Sequence, residues 1–145
     1  MGTKLLAAAG LLVAGFAAGR ATSPPVVVAA AAQAQPRIFE LRTYTATEGK
    51  LANVNARFRD HTRAIFDRHN MTSIGYWTPS EGPMADTTLI YVLAHPSREE
   101  ARKNWAAFSA DPEWQKVKAE SEAAGKIVAK AESVFMNATD YSPIK

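Results

Sequence analysis

The 145-residue chain contains no cysteine, which excludes disulfides, thiolate nucleophiles and zinc–thiolate sites. It has no Gly-x-Ser-x-Gly elbow and no glycine-rich phosphate loop, so neither an esterase-type serine nor a nucleotide cradle is expected. There is no His-x-x-x-His pair and no cluster of acidic residues to replace one, so no metal site is expected. No basic run is interleaved with aromatic residues, which argues against nucleic acid as a partner. Residues 1–35 lack acidic side chains and carry only Lys4 and Arg20 as basic ones. Removing those two from the 17 Lys+Arg leaves 15 against 14 Asp+Glu. The remainder of the chain is nearly neutral, and its basic balance is owed largely to the leader.

What is present begins with that leader. Met1–Lys4 is a short positive start, and Leu5–Gly19 is an uncharged run of Leu, Ala, Val, Gly and Phe. The run suits the core of a signal peptide and is short for a membrane span, which needs about 20 apolar residues. Small-residue cleavage patterns follow at Ala30-Ala31-Ala32 and Ala32-Gln33-Ala34. Residues 1–35 are therefore expected to be a signal peptide or an N-terminal anchor with an Ala/Pro linker. Residues 36–145 would be one exported domain, periplasmic or secreted. Membrane contact, if the leader is retained, would run only through residues 5–19.

Ile38–Tyr44 alternates as a strand with two unlike faces, Phe39, Leu41 and Thr43 on one and Ile38, Glu40, Arg42 and Tyr44 on the other. The second set is amphipathic and suits a face that meets a partner or lines a polar cavity. After a turn at Glu48–Gly49, the helical spacing of Leu51, Val54, Phe58, Ile65 and Phe66 predicts one helix from about Lys50 to His69. Asn70 is suited to a left-handed cap. Thr72–Thr78 and Thr87–Ala94 read as strands joined by turn residues around Gly82, hence an antiparallel hairpin, with His95-Pro96 ending the second. Ser97 and Glu100 fit a capping box, and Asp111-Pro112 restarts a helix. A last strand lies within Ile127–Met136.

The order β-α-β, β-α-β gives an α+β fold: a ferredoxin-like βαββαβ plait, with a four-stranded antiparallel sheet and its helices on one face. Ile38, Tyr44 and other sizeable side chains are then expected on the uncovered face. A second copy packed sheet against sheet is the economical cover.

Four segments resemble the NIPSNAP family in order and spacing: Glu40-Leu41-Arg42-Thr43-Tyr44, Gly49, Gly75-Tyr76-Trp77, and Asp111-Pro112-Glu113-Trp114. The likeness covers about residues 37–140 and departs from the family pattern at Ala64, where proline would stand. It implies a dimeric α/β-barrel architecture, and it implies no reaction, because fold does not settle function. Distant members of that superfamily include cofactor-independent monooxygenases, chlorite dismutase-like haem enzymes and haem-degrading enzymes.

His61, at the edge of the helix stripe, is the foremost candidate for function. It is either a pocket acid, base or ligand facing the sheet, or a core-edge histidine bonded to a strand. His69 in the last turn fits capping and the helix dipole. Arg42 with Glu40 reads as an anion site or as a cross-strand ion pair at the dimer face. Tyr76 and Trp77 must point to opposite faces, so at most one lines a given pocket, and Tyr44 carries the same ambiguity. The reading from sequence is a homodimeric domain that binds a small apolar molecule between the first helix and the sheet. Its catalytic residue is left unknown, with His61 the best candidate, and no cofactor is assigned. The alternatives are a protein-interaction scaffold, a cofactor-free monooxygenase, or a haem enzyme with His61 or His69 as axial ligand.

Overall fold

The computed structural model describes residues 37–145; the leader and its expected processing lie outside the described residues. The elements in chain order are β1 (Ile38–Ala46), α1 (Leu51–Arg57), a π-helical turn (Phe58–Thr62), α2 (Arg63–Arg68), β2 (Thr72–Trp77), β3 (Thr88–His95), α3 (Arg98–Ala110), α4 (Pro112–Ser121) and β4 (Val128–Asn137). The strands form one antiparallel sheet in the order β2-β3-β1-β4. This is the plait expected from the sequence.

Local chemistry accounts for the boundaries. Gly49 turns the chain into α1 with φ of 70°, a left-handed conformation that glycine adopts without steric cost. Asn70 leaves α2 with φ of 54°, as its side-chain type predicts. Ser97 accepts from the Glu100 backbone N–H, and Asp111 accepts from those of Glu113 and Trp114, so α3 and α4 both start on side-chain caps. His95 belongs to β3 and does not stop it; Pro96 does.

Two expectations are corrected. The helix from Lys50 to His69 is continuous but not regular, because the π turn inserts an extra residue between α1 and α2. Thr62 thereby takes the inward position after Phe58, buried, with its hydroxyl donating to the Arg57 carbonyl at 3.1 Å. His61 is turned out to solvent. The two faces of β1 are also exchanged. Glu40, Arg42 and Tyr44 lie under the helices, where Tyr44 meets Phe58 and Glu40 meets Trp105 of α3. Phe39, Leu41 and Thr43 occupy the uncovered side. The polar set goes inward because α3 and the neighbouring strands supply it with partners. Such partners could not be placed before the register was known.

The core sits between helices and sheet. Val54, Phe58, Ile65, Phe66, Met71, Leu89, Tyr91, Leu93 and Phe108 are buried there. Phe58, Phe66, Tyr44, Tyr76 and Tyr91 form a continuous group of ring contacts, with centroids 5.1 to 6.1 Å apart. Packed aromatic side chains fill most of the space between the first helix and the sheet, and a hollow of about 180 Å3 lined by Phe58, Arg59, Arg63, Tyr76 and Leu89 lies at its edge.

Candidate functional site

Under α3, one carboxylate gathers four donors. Glu40 is 1% exposed. One of its oxygens accepts from Arg42 Nη1 at 3.0 Å and Ser133 Oγ at 2.7 Å. The other accepts from Trp105 Nε1 at 2.7 Å and lies 3.1 Å from His95 Nε2. β1 supplies Glu40 and Arg42, β3 His95, β4 Ser133 and α3 Trp105. The strand register makes this possible: Arg42 stands opposite Ser133, and Glu40 lies diagonally from His95 on the same side of the sheet.

Burial alone would raise the Glu40 carboxyl, but the hydrogen bonds from His95, Ser133 and Trp105 and the Arg42 charge bring it down to about 2. A carboxylate with its lone pairs engaged in this way is a fixed anion, and holding its charge is what it does best. Arg42 also lies over the Trp105 ring at 4.4 Å and reaches Tyr44 Oη at 3.5 Å. Burial opposes its charge, while the oxygens of Tyr91, Tyr44 and Glu40 favour it and raise its pKa. The hydroxyl of the fully buried Tyr91 is pushed well above the usual phenol value by burial. The cluster is an internal polar clamp joining three strands to a helix.

The residues singled out from sequence do not converge. Arg42 and Tyr44 belong to the clamp, and the Glu40–Arg42 pair lies along one strand beneath the helices, not across strands at an open face. Tyr76 stacks on Tyr91 on the helix side, with centroids 5.6 Å apart. Trp77 is on the uncovered side, 52% exposed. His69 lies 2.7 Å from Asp111, which also pairs with Arg68 at 3.1 Å, so the end of α2 is tied to the start of α4. These contacts hold the Asp111 carboxyl well below the usual range, His69 first among them.

His61 faces neither the core nor the sheet. It lines a groove of about 310 Å3 between the first helix and α4, with Arg57, Asp60 and Glu120. Neither His61 nor His69 looks into an apolar slot that a haem would need, so a haem fits these residues poorly. Among the described residues, no three His, Asp or Glu side chains come together as a metal site would require.

The other side of the sheet is apolar and largely uncovered. In register across it run Trp77–Ile90–Thr43, Gly75–Val92–Leu41–Val134 and Ala94–Phe39–Met136. Val134 is 56% exposed. On β4 the charged pair Lys130–Glu132, 2.8 Å apart, borders this surface. At one end the chain beyond β4 returns over the sheet. With Phe39, Ile74, Trp77, Val92 and Met136 it borders a shallow, open hollow of about 370 Å3. Gly75 has a specific role here. A Cβ at that position would stand 2.5 Å from the Trp77 ring, so the glycine lets the indole lie flat on its own strand.

The fold agrees with what comparison with known proteins finds. A profile of the NIPSNAP family matches residues 39–143. The chain belongs to the NIPSNAP family.

Among solved structures, a NIPSNAP family protein of unknown function from Agrobacterium tumefaciens is 22% identical, with a TM-score of 0.66 over 77% of this chain and 96% of that one. An uncharacterized NIPSNAP-like domain protein from Burkholderia xenovorans is 19% identical, with a TM-score of 0.65 over 76% and 91%. A monooxygenase of Streptomyces coelicolor, solved with the ligand nanaomycin D, is 14% identical, with a TM-score of 0.51 over 74% and 92%. At these identities the likeness is one of fold. A comparison with curated proteins finds no match.

The family-like motifs of this NIPSNAP domain have structural work. Glu40 and Arg42 form the clamp, Gly75 accommodates Trp77, and Asp111 caps α4 while holding His69. Trp114 packs on Phe108 at 4.5 Å and under Arg57 at 5.2 Å. The sequence offered one sign of His95, whose even spacing from Tyr91 and Leu93 puts it on their face of β3. Ser133 carried no such sign, because its role depends on register.

Proposed function

We propose that this NIPSNAP domain is a homodimeric binding module. Two copies meet through their uncovered sheet faces, and a small apolar molecule is held on that side, not behind the first helix. The observation that carries the reading is the row of apolar side chains across all four strands, with Trp77 and Val134 more than half exposed. Contiguous apolar surface of this kind marks an interaction site in a soluble protein. The two-fold pairing of identical sheets is the simplest closed arrangement, and the Lys130–Glu132 pair would form part of its polar rim.

A hollow on the same side favours binding over scaffolding alone. Oxygenase chemistry in the space between the first helix and the sheet would have to displace the aromatic packing there, so it ranks below binding. Export is part of the proposal and rests on the leader; the N-terminal residue of the protein recovered from cells, read by mass spectrometry, tests it. Among the described residues, no helix is long and apolar enough to cross a membrane.

Light scattering tests the assembly. The protein should have twice the mass of one chain at micromolar concentration, and Val134→Arg should halve it without unfolding. A parent of single-chain mass would contradict the proposal.

A further inference from the structure

The hollow beside Trp77 differs in chemistry from the rest of the surface. Four other hollows each present at least one arginine: Arg57, Arg37, Arg37 with Arg98, and Arg59 with Arg63. This one is lined by no ionisable side chain. Its walls are Phe39, Ile74, Trp77, Val92, Met136 and Ile144, and its polar groups, Asn137, Thr139 and Ser142, all lie at the end of β4 or in the tail that follows. A volume of about 370 Å3 is at the small end of the roughly 300–1,000 Å3 typical of small-molecule sites.

Two further features suit the hollow to a flat guest. The indole of Trp77 is held against Gly75, where a Cβ would collide with it, so one ring face is spent on the strand and the ring is oriented by it. Half the residue remains exposed, in a wall where an aromatic guest could stack. The tail is anchored to the body of the domain through Arg37, whose Nε donates to the Lys145 carbonyl oxygen at 2.8 Å. Lys145 Nζ and Ser142 Oγ otherwise bond within the tail, to Asp140 and Ile144. The Ser142 hydroxyl is thus engaged inside the tail, donating to the Ile144 carbonyl and accepting from the Ile144 N–H, and Thr139 supplies the hydroxyl that forms no hydrogen bond among the described residues.

We propose that the hollow between the Trp77 indole and the C-terminal tail is a binding site for a flat, uncharged aromatic molecule, its polar substituent directed at Thr139. The site rests on the binding reading above and gives it a ligand class. It is formed within one chain, with its mouth on the side where a second copy would sit.

The test is a fluorescence titration of the protein with N-phenyl-1-naphthylamine, a neutral probe built of flat aromatic rings, and with its anionic relative 1-anilinonaphthalene-8-sulfonate. Light scattering on the same samples reports assembly. One neutral probe should bind per chain, more tightly than the sulfonate. Trp77→Ala and a chain ending at Ala138 should each weaken binding by about tenfold or more, and His61→Ala should leave it unchanged. Circular dichroism identifies any variant that fails to fold, and the two independent lesions make a shared loss informative. No binding to the parent, parent-like binding in both variants, or preference for the sulfonate would overturn the site. A dimer with any of those results leaves the assembly standing without it, whereas a monomer that binds as described leaves the site standing without the assembly.

Discussion

The two faces of the sheet solve opposite problems. On the helix side every strand contributes to an interior in which the rings are in contact and the one buried carboxylate has four partners. On the other side, strands of the same sheet present Leu41, Ile90, Val92 and Val134 with much less cover. The charged residues that looked functional in the sequence are the ones the interior uses to hold itself together. The plain aliphatic ones form the uncovered surface on which the proposed recognition rests. Buried ionisable groups are common at active sites, and structural ion pairs perturb pKa values equally; in Glu40 the saturation of both oxygens decides for structure.

The largest effect should come from the filled side. Glu40→Ala strands the Arg42 guanidinium and the Trp105 indole N–H without their acceptor, and breaking a buried pair in this way costs about 3–5 kcal/mol. Urea denaturation should register most of that loss, and Glu40→Gln should restore part of it. A variant of parental stability would mean that the clamp is not structural.

Acid should act on the same group. With its folded pKa lowered from 4.5 to about 2, Glu40 contributes roughly 3 kcal/mol of stability. That contribution is fully present above the unfolded value and is lost as pH falls through about 2. Denaturation midpoints measured from pH 6 downwards should decline, and Glu40→Gln should flatten the decline. Equal slopes in both proteins would assign the acid response to other carboxylates, Asp111 foremost.

Gly75→Ala is a smaller perturbation on the open side. The new methyl meets the far edge of an exposed indole, not backbone, so Trp77 should swing off its strand at a cost of about 1 kcal/mol or less. Tryptophan emission should shift to the red with little change in midpoint; a large loss of stability would show that the indole cannot move. His61→Ala should be smallest of all, within about 0.5 kcal/mol, as for exposed residues without partners. A thermal melt checks this, and a large shift would restore the histidine to an interior role.

The fold was legible because it is written in periodicity. The strand alternation, the capping residues Ser97 and Asp111, and the left-handed Asn70 all act locally, and the plait follows from their order. The site was less legible for physical reasons. Whether Glu40 or Leu41 faces inward depends on donors from Ser133, His95 and Trp105, which are 93, 55 and 65 residues away in sequence. Simple alternation cannot rank a polar face that has partners against an apolar face that the domain leaves uncovered. The π turn was hidden for a related reason: 100° per residue places His61 beside Phe58 and Ile65, and one extra residue in the turn gives the inward position to Thr62. Gly75 could be seen as part of a motif, but its reason, the ring of Trp77 lying over it, exists only in three dimensions.

The claim that the uncovered face meets its twin is tested most directly by distance. The chain has no native cysteine, so Lys130→Cys at the rim of that face and Arg59→Cys on the first helix each accept a single spin label. Facing sheets pack about 10 Å apart. Pulsed dipolar spectroscopy should therefore give a short inter-label distance from position 130 and a longer one from position 59. Absence of dipolar modulation, or a shorter distance from the helix label, would contradict the account.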